Sequence, residues 1–165
     1  MEEVKSEMNS MISMVDSLID SVRKIATDLR PGILDHLGLI AALEWKINNF
    51  KLRTRMQVHY EQYDIRFNFS KNETIIIYRI VQEVLTNVVR HSKANELWVN
   101  VFVEDNDFVL KIKDDGIGFS TRGQHQKGSL GLMGMRERAL SIGGKIQIES
   151  ALNKGTTVTF LLRKK

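Results

Sequence analysis

Near the start of the chain, apolar residues fall at Met8, Met11, Val15, Leu18, Val22, Ile25 and Leu29, in steps that alternate between three and four. This is the a/d seam of a heptad repeat, and it predicts one long helix over residues 1–30. Pro31-Gly32 ends it. Two readings of the seam stand. The helix packs back on its own domain, or it pairs with another helix as a dimerisation element. The strict alternation makes a stripe narrower than the usual core-facing one, which favours pairing.

Shorter periods follow. Ile40, Leu43, Ile47 and Phe50 share one face of a helix over about 36–52, and a short strand is expected near Met56–Tyr60. Ser70-Lys71-Asn72-Glu73 fits a capping box, so the next helix starts at about residue 71. It runs to about His91. Leu97, Val99, Val101 and Val103 alternate with Trp98, Asn100 and Phe102, which predicts a strand over 96–104 with both faces at least partly covered. Phe108, Leu110 and Ile112 form its partner strand across the Asp105-Asn106-Asp107 turn. Residues 119–130 are polar and loop-like, and a helix over 131–142 ends at Gly143-Gly144. Strands at 145–150 and 156–162 close the chain, joined by Asn153-Lys154-Gly155. The expected fold is α+β: a two-layer α/β sandwich with a mainly antiparallel, mixed sheet, preceded by the long N-terminal helix.

At 165 residues the chain fits one compact domain with an appendage. It has no cysteine, which removes disulfides, thiol nucleophiles and thiolate–metal sites. No apolar run is long enough to span a bilayer, and no secretory signal opens the chain. The net charge of +4 is spread out, apart from Arg163-Lys164-Lys165 at the end, which reads as a solvated tail. No basic stripe is interleaved with aromatics, so nucleic acid is a poor candidate partner.

Chemistry concentrates in four places. On the 71–91 helix, Glu83, Asn87 and His91 are spaced by four and share a face of a segment otherwise rich in Ile, Val and Leu. An amide oxygen such as that of Asn87 can ligate a Mg²⁺ that keeps its waters and takes phosphate oxygens. Glu83 can take a proton from, or orient, a nucleophile. Arg90 and His91 can reach phosphates or a sugar. The second place is Asp114-Asp115-Gly116-Ile117-Gly118, where glycines let backbone approach a ligand and a buried carboxylate can accept from an exocyclic amine. Adenine offers that amine and guanine does not at that edge, so the site would favour ATP over GTP. The third is Gly128-Ser129-Leu130-Gly131-Leu132, a helix start whose free amides attract phosphate. The fourth is Gly155-Thr156-Thr157, at the head of the last strand. Each has a plain alternative: an incidental polar helix face, a β-turn, a loop-to-helix junction, a hairpin exit.

In this order and spacing the four resemble the N, G1, G2 and G3 boxes of the Bergerat-fold ATPases, the superfamily that includes gyrase, histidine kinases and MutL. Leu29-Arg30-Pro31-Gly32-Ile33-Leu34-Asp35-His36-Leu37-Gly38-Leu39, Tyr78-Arg79-Ile80-Val81-Gln82-Glu83 and Gly131-Leu132-Met133-Gly134-Met135-Arg136-Glu137-Arg138-Ala139 resemble one branch of it. That branch is the bacterial sensor histidine kinases of the nitrate-sensor and lipid-fluidity-sensor type. The resemblance implies that Asn87 coordinates Mg²⁺ and that Glu83 helps activate the phosphoacceptor. It implies that Arg90 and His91 contact phosphate and nucleoside. Asp114 would bind the adenine amine in a pocket shaped by Gly116, Ile117 and Gly118, while Asp115 holds a variable position. Gly128, Gly131 and Leu132 would lie along the phosphates and base under a lid at 119–130, and Thr156 would close the pocket from the sheet.

The phosphorylated histidine of that family lies in a segment absent from this sequence. His36, His59, His91 and His125 all sit in other contexts. The resemblance therefore implies a fragment: residues 1–30 as part of the dimerisation helix and 31–165 as the catalytic domain. The implied substrate and cofactor are ATP and Mg²⁺. The implied partners are an upstream dimerisation and phosphoacceptor domain, a response regulator receiver domain, and a second copy in the intact homodimer. The domain would be cytoplasmic, in a protein that can be anchored in the plasma membrane. The competing reading is a partner-sequestering anti-sigma serine kinase of the same fold, against which the heptad helix and the Leu-Arg-Pro segment argue.

Overall fold

The computed structural model describes Val15 and residues 32–63, 65–120 and 130–163. The heptad segment expected over 1–30 lies almost wholly outside the described residues, as do Gly128 and most of the 119–130 loop. The described elements are α1 (Gly32–Arg53), β1 (Gln57–Gln62), α2 (Lys71–Asn87), a π-helical turn (Val88–Ser92), β2 (Glu96–Glu104), β3 (Asp107–Asp114), α3 (Leu130–Ser141), β4 (Gly144–Ser150) and β5 (Thr156–Arg163).

Local rules place several boundaries. Ser70 Oγ accepts from the Glu73 amide at 3.2 Å, and the Glu73 carboxylate accepts from the Ser70 amide at 2.7 Å, so the capping box closes in both directions. Asp105 and Asn106 both have positive φ, the two-residue turn whose twist matches antiparallel strands. Glu104 accordingly pairs with Asp107. The first helix begins earlier than its periodicity suggests: α1 starts at Gly32 and is two helical pieces joined across a kink at Gly38, where φ is 79°.

The sheet order is β1-β2-β3-β5-β4. β1 pairs with β2 in parallel, with α2 as the crossover, and all other pairs are antiparallel. The sheet is thus mixed, and β5 inserts between β3 and β4 rather than extending the edge. One face packs on the helices. Leu43 and Ile47 of α1, Ile77, Ile80, Val81, Val84 and Leu85 of α2, and Met135 and Ala139 of α3 meet Leu97, Val99, Val101, Phe108, Leu110, Ile112, Val158, Phe160 and Leu162. The other face carries Trp98, half-buried, which stacks on His59 at 5.5 Å with the Lys113 ammonium 5.3 Å from its ring centre. Among the described residues no helix is long and apolar enough to cross a membrane.

Candidate functional site

The end of α2, the turn after β3, the start of α3 and the head of β5 converge on one cleft. Its walls are apolar: Val84, Val88, Ile112, Phe119, Leu132, Met135 and Val158. Its polar groups are few: Asn87, His91, Ser92, Asp114 and Thr156. Including its open mouth, the cleft holds about 500 Å³. A narrow apolar slot with a few fixed polar groups suits a flat heterocycle with a charged tail.

Asp114 sits deep in this slot, only 4 % exposed. The last residue of β3, it pairs across the ladder with Thr156. Burial pushes its carboxyl above the usual range. Amide hydrogen bonds from Gly116 and Thr156 pull the other way, and the charge of Asp115 adds a smaller upward push. The Gly116 amide donates to Asp114 Oδ1 at 2.8 Å, closing a tight turn around the carboxylate. Gly116 is needed there, since a Cβ would strike the carbonyl oxygen of Ser92.

Asp115 does something else. It is exposed, and its Oδ1 accepts from the amides of Asn95 and Glu96 at 2.8 and 2.9 Å. It ties the end of β3 to the start of β2 and faces away from the slot. Ile117 contributes backbone rather than side chain. Its amide donates to the Ser92 carbonyl at 2.7 Å and its carbonyl accepts from Asn153 at 2.7 Å, while the side chain is exposed. Gly118 lines the cleft. Behind it, Ser150 Oγ accepts from the Phe119 amide at 2.9 Å, donates to the Gly155 carbonyl and lies 3.0 Å from Thr156 Oγ1.

At the other end, Asn87 is half-buried and its Nδ2 lies 3.5 Å from Glu83 Oε1, a long contact. Gly131, in the first turn of α3, presses on that carboxylate: a Cβ there would collide with Glu83 Oε1. Glu83 therefore stands between the cleft and the outer surface of α2. Among the described residues there is no group of three or more His, Asp or Glu side chains arranged to hold a metal. A single amide oxygen such as that of Asn87 would nevertheless suit a Mg²⁺ ion that takes most of its ligands from water and a bound phosphate.

Of the residues singled out from sequence, Asn87, His91, Asp114, Gly118, Leu132 and Thr156 share the cleft. Arg90 does not. The helix widens to a π-helical turn after Asn87, and Arg90 lines a separate groove with Lys46, Phe50, Arg53 and Val89, between α1 and α2. Sequence reasoning missed Ser92, buried where the π-helical turn meets the glycine turn. A serine at the end of a polar helix face carries no distinguishing pattern.

Comparison with known proteins agrees with this geometry. Residues 72–165 match the family described as histidine kinase-, DNA gyrase B- and HSP90-like ATPase. The chain is 33 % identical over 159 residues to the oxygen sensor histidine kinase NreB of Staphylococcus carnosus, covering 96 % of this chain and 46 % of that protein. It is 34 % identical over 157 residues to the signal transduction histidine-protein kinase/phosphatase DegS of Brevibacillus brevis, covering 95 % and 40 %. The chain thus spans less than half the length of these relatives. Its fold superposes on the Erythrobacter litoralis EL346 blue-light activated histidine kinase with a TM-score of 0.69 at 22 % identity, covering 91 % of this chain and 49 % of that one. It superposes on the Acinetobacter baumannii histidine kinase AdeS with a TM-score of 0.63 at 19 % identity, covering 94 % and 83 %. The matched segment runs from the second residue of α2 to the last residue of the chain and takes in both ends of the cleft, so the chain belongs to the histidine kinase-, DNA gyrase B- and HSP90-like ATPase family.

Proposed function

We propose that this chain is the ATP-binding catalytic domain of a sensor histidine kinase. It would pass the γ-phosphoryl group of ATP to a histidine on a separate dimerisation segment, for relay to a response regulator aspartate. The observation that carries this reading is the buried Asp114 carboxyl in an apolar slot that also holds Asn87, with the Glu83 carboxylate 3.5 Å beyond Asn87 in the adjoining groove. The slot takes the adenine, and its exocyclic amine donates to Asp114. The triphosphate runs toward Gly131, where the first amides of α3 are available. Asn87 supplies the protein ligand for Mg²⁺, which when bound neutralises phosphate charge. Glu83 orients the incoming imidazole and takes up its proton. His91 lies along the nucleotide at the mouth of the cleft.

Support for kinase chemistry in particular comes from the relatives, which are named as histidine kinases. Titration calorimetry with ATP and Mg²⁺ tests the nucleotide site directly. We expect saturable binding with ATP preferred over GTP. No heat at millimolar nucleotide would end the proposal.

A further inference from the structure

A groove on the outer side of α2 is lined by Arg79, Gln82, Glu83 and Thr86, with Arg138 of α3 opposite. The four α2 positions follow i, i+3, i+4 and i+7 spacing and form one strip of that helix. Glu83 is at its inner border, against Gly131 and 3.5 Å from Asn87 Nδ2. The groove therefore leads from solvent to the Asn87–Gly131 end of the cleft. Its two cations are engaged differently. Arg79 donates to Gln82 Oε1 at 2.8 Å. The Arg138 guanidinium makes no hydrogen bond or ion pair among the described residues. It folds back along α3, with Nη2 3.5 Å from where a Cβ on Gly134 would stand. Long helical side chains lie over the turn before them, so this guanidinium is directed toward the end of α3 that reaches Glu83.

We propose that Arg138 is a further catalytic residue, which contacts the transferring phosphoryl group from the groove side. The proposal rests on the kinase reading above. In the transfer, an imidazole nitrogen forms a bond to the γ-phosphorus as the bond from that phosphorus to the β–γ bridging oxygen breaks. ADP leaves with the electron pair, and the proton on the other imidazole nitrogen goes to the Glu83 carboxylate. The moving group carries negative charge on three equatorial oxygens. Among the described residues, what stands beside it is one carboxylate, Glu83, and the Asn87 amide that would hold Mg²⁺. A carboxylate next to a migrating anion opposes the reaction unless a cation offsets it. Mg²⁺ at Asn87 would serve the nucleotide side, and Arg138 is the cation on the Glu83 side, where its planar fork of donors matches phosphoryl oxygens. Because the contact forms as the group leaves ADP, it acts on the rate and leaves nucleotide affinity alone.

The test uses the kinase that carries both this domain and its acceptor histidine, with Arg138→Ala, Arg138→Gln and Arg138→Lys. Single-turnover phosphorylation at saturating Mg-ATP is compared with the Mg-ATP dissociation constant of each variant. We expect Arg138→Ala and Arg138→Gln to slow transfer by about 10²–10³-fold, the scale of one lost transition-state donor, with affinity within twofold of the parent. Lysine restores part of the rate, and Arg136→Ala, two residues earlier on another face of α3 and outside the groove, does not slow it. A rate within threefold of the parent overturns the proposal. So does a parallel loss of affinity, which would make Arg138 a ground-state contact. Arg138→Gln keeps the helix face polar and decides the matter if the alanine variant folds poorly. If the parent neither binds ATP nor phosphorylates its histidine, the kinase reading fails instead.

Discussion

Asp114→Asn is the sharpest probe of the cleft, because nucleotide affinity and stability should move differently. The asparagine keeps the carboxyl's shape, and its Oδ1 can still accept from the Gly116 amide, now 2.8 Å from Asp114 Oδ1. Its Nδ2 replaces an acceptor with a donor, facing the adenine amine, which is also a donor. A hydrogen bond to a charged group contributes about 1.5–3 kcal/mol, so ATP affinity should fall roughly 10–100-fold. GTP binding should fall much less, since guanine does not offer that amine, and the preference for ATP should narrow. Stability without nucleotide should fall by no more than one amide hydrogen bond, about 1 kcal/mol, since Nδ2 cannot accept from the Thr156 amide as the carboxyl does. The parent holds a carboxyl that burial has pushed upward, so its ionised form is costly in the fold, and the neutral amide removes that cost. Calorimetric titration with ATP and GTP, paired with thermal melts at pH 7, reads both quantities. An ATP affinity within threefold of the parent refutes the assignment of Asp114 to adenine. A loss of stability beyond that one hydrogen bond refutes the account of its carboxyl.

Three further outcomes are expected. The pH profile follows from the raised carboxyl of Asp114: the folded chain holds that proton more tightly than the unfolded one. This contribution to stability is therefore present at pH below about 3.9 and is lost as pH rises through the folded value. ATP affinity runs the other way, weakening as pH falls through the same window, and titrations from pH 7 downward should show a step that Asp114→Asn lacks. Asn87→Ala should shrink the gain in ATP affinity conferred by Mg²⁺ by about tenfold, the scale of one lost polar contact to a charged group, read by titration with and without chelator. Ser92→Ala should destabilise the chain by about 1–3 kcal/mol in a denaturant melt, since it leaves the buried Ala94 amide without its acceptor at 3.0 Å.

What could be read from sequence divides by range. The capping box at Ser70 and Glu73 and the turn at Asp105-Asn106 depend on neighbours within a few residues, and both lie where their local chemistry puts them. The alternation in β2 likewise gives its buried face, with Leu97, Val99 and Val101 on the helix side. Several site residues were legible because glycine and a buried carboxylate are costly choices that need a reason. Gly116 lies against Ser92, and Gly131 against Glu83. The parallel pairing of β1 with β2 and the insertion of β5 between β3 and β4 were not legible. Strand order is decided by contacts far apart in the chain, and β4 and β5 would form the same hairpin at either position.

Arg90 shows how a local ruler fails. Spacing of four places Glu83, Asn87 and His91 on one face only while the helix keeps 3.6 residues per turn. After Asn87 the backbone widens into a π-helical turn, a feature often found at functional sites. Asn87 and His91 still share the cleft, Val88 and Ser92 are buried, and Arg90 swings to the groove between α1 and α2. The widening needs support, because it interrupts the regular backbone ladder. Ser92 supplies it: its hydroxyl donates to the Val88 carbonyl at 2.7 Å and accepts from the Ala94 amide. The carbonyl of Ser92 then accepts from Ile117, fastening the π-helical turn to the glycine turn that holds Asp114. A residue with no reactive role thus sets the separation between the Asn87 end of the cleft and the Asp114 end. Glycine at 116 is the other half of the same joint, since a Cβ there would push against that carbonyl and spread the two ends apart.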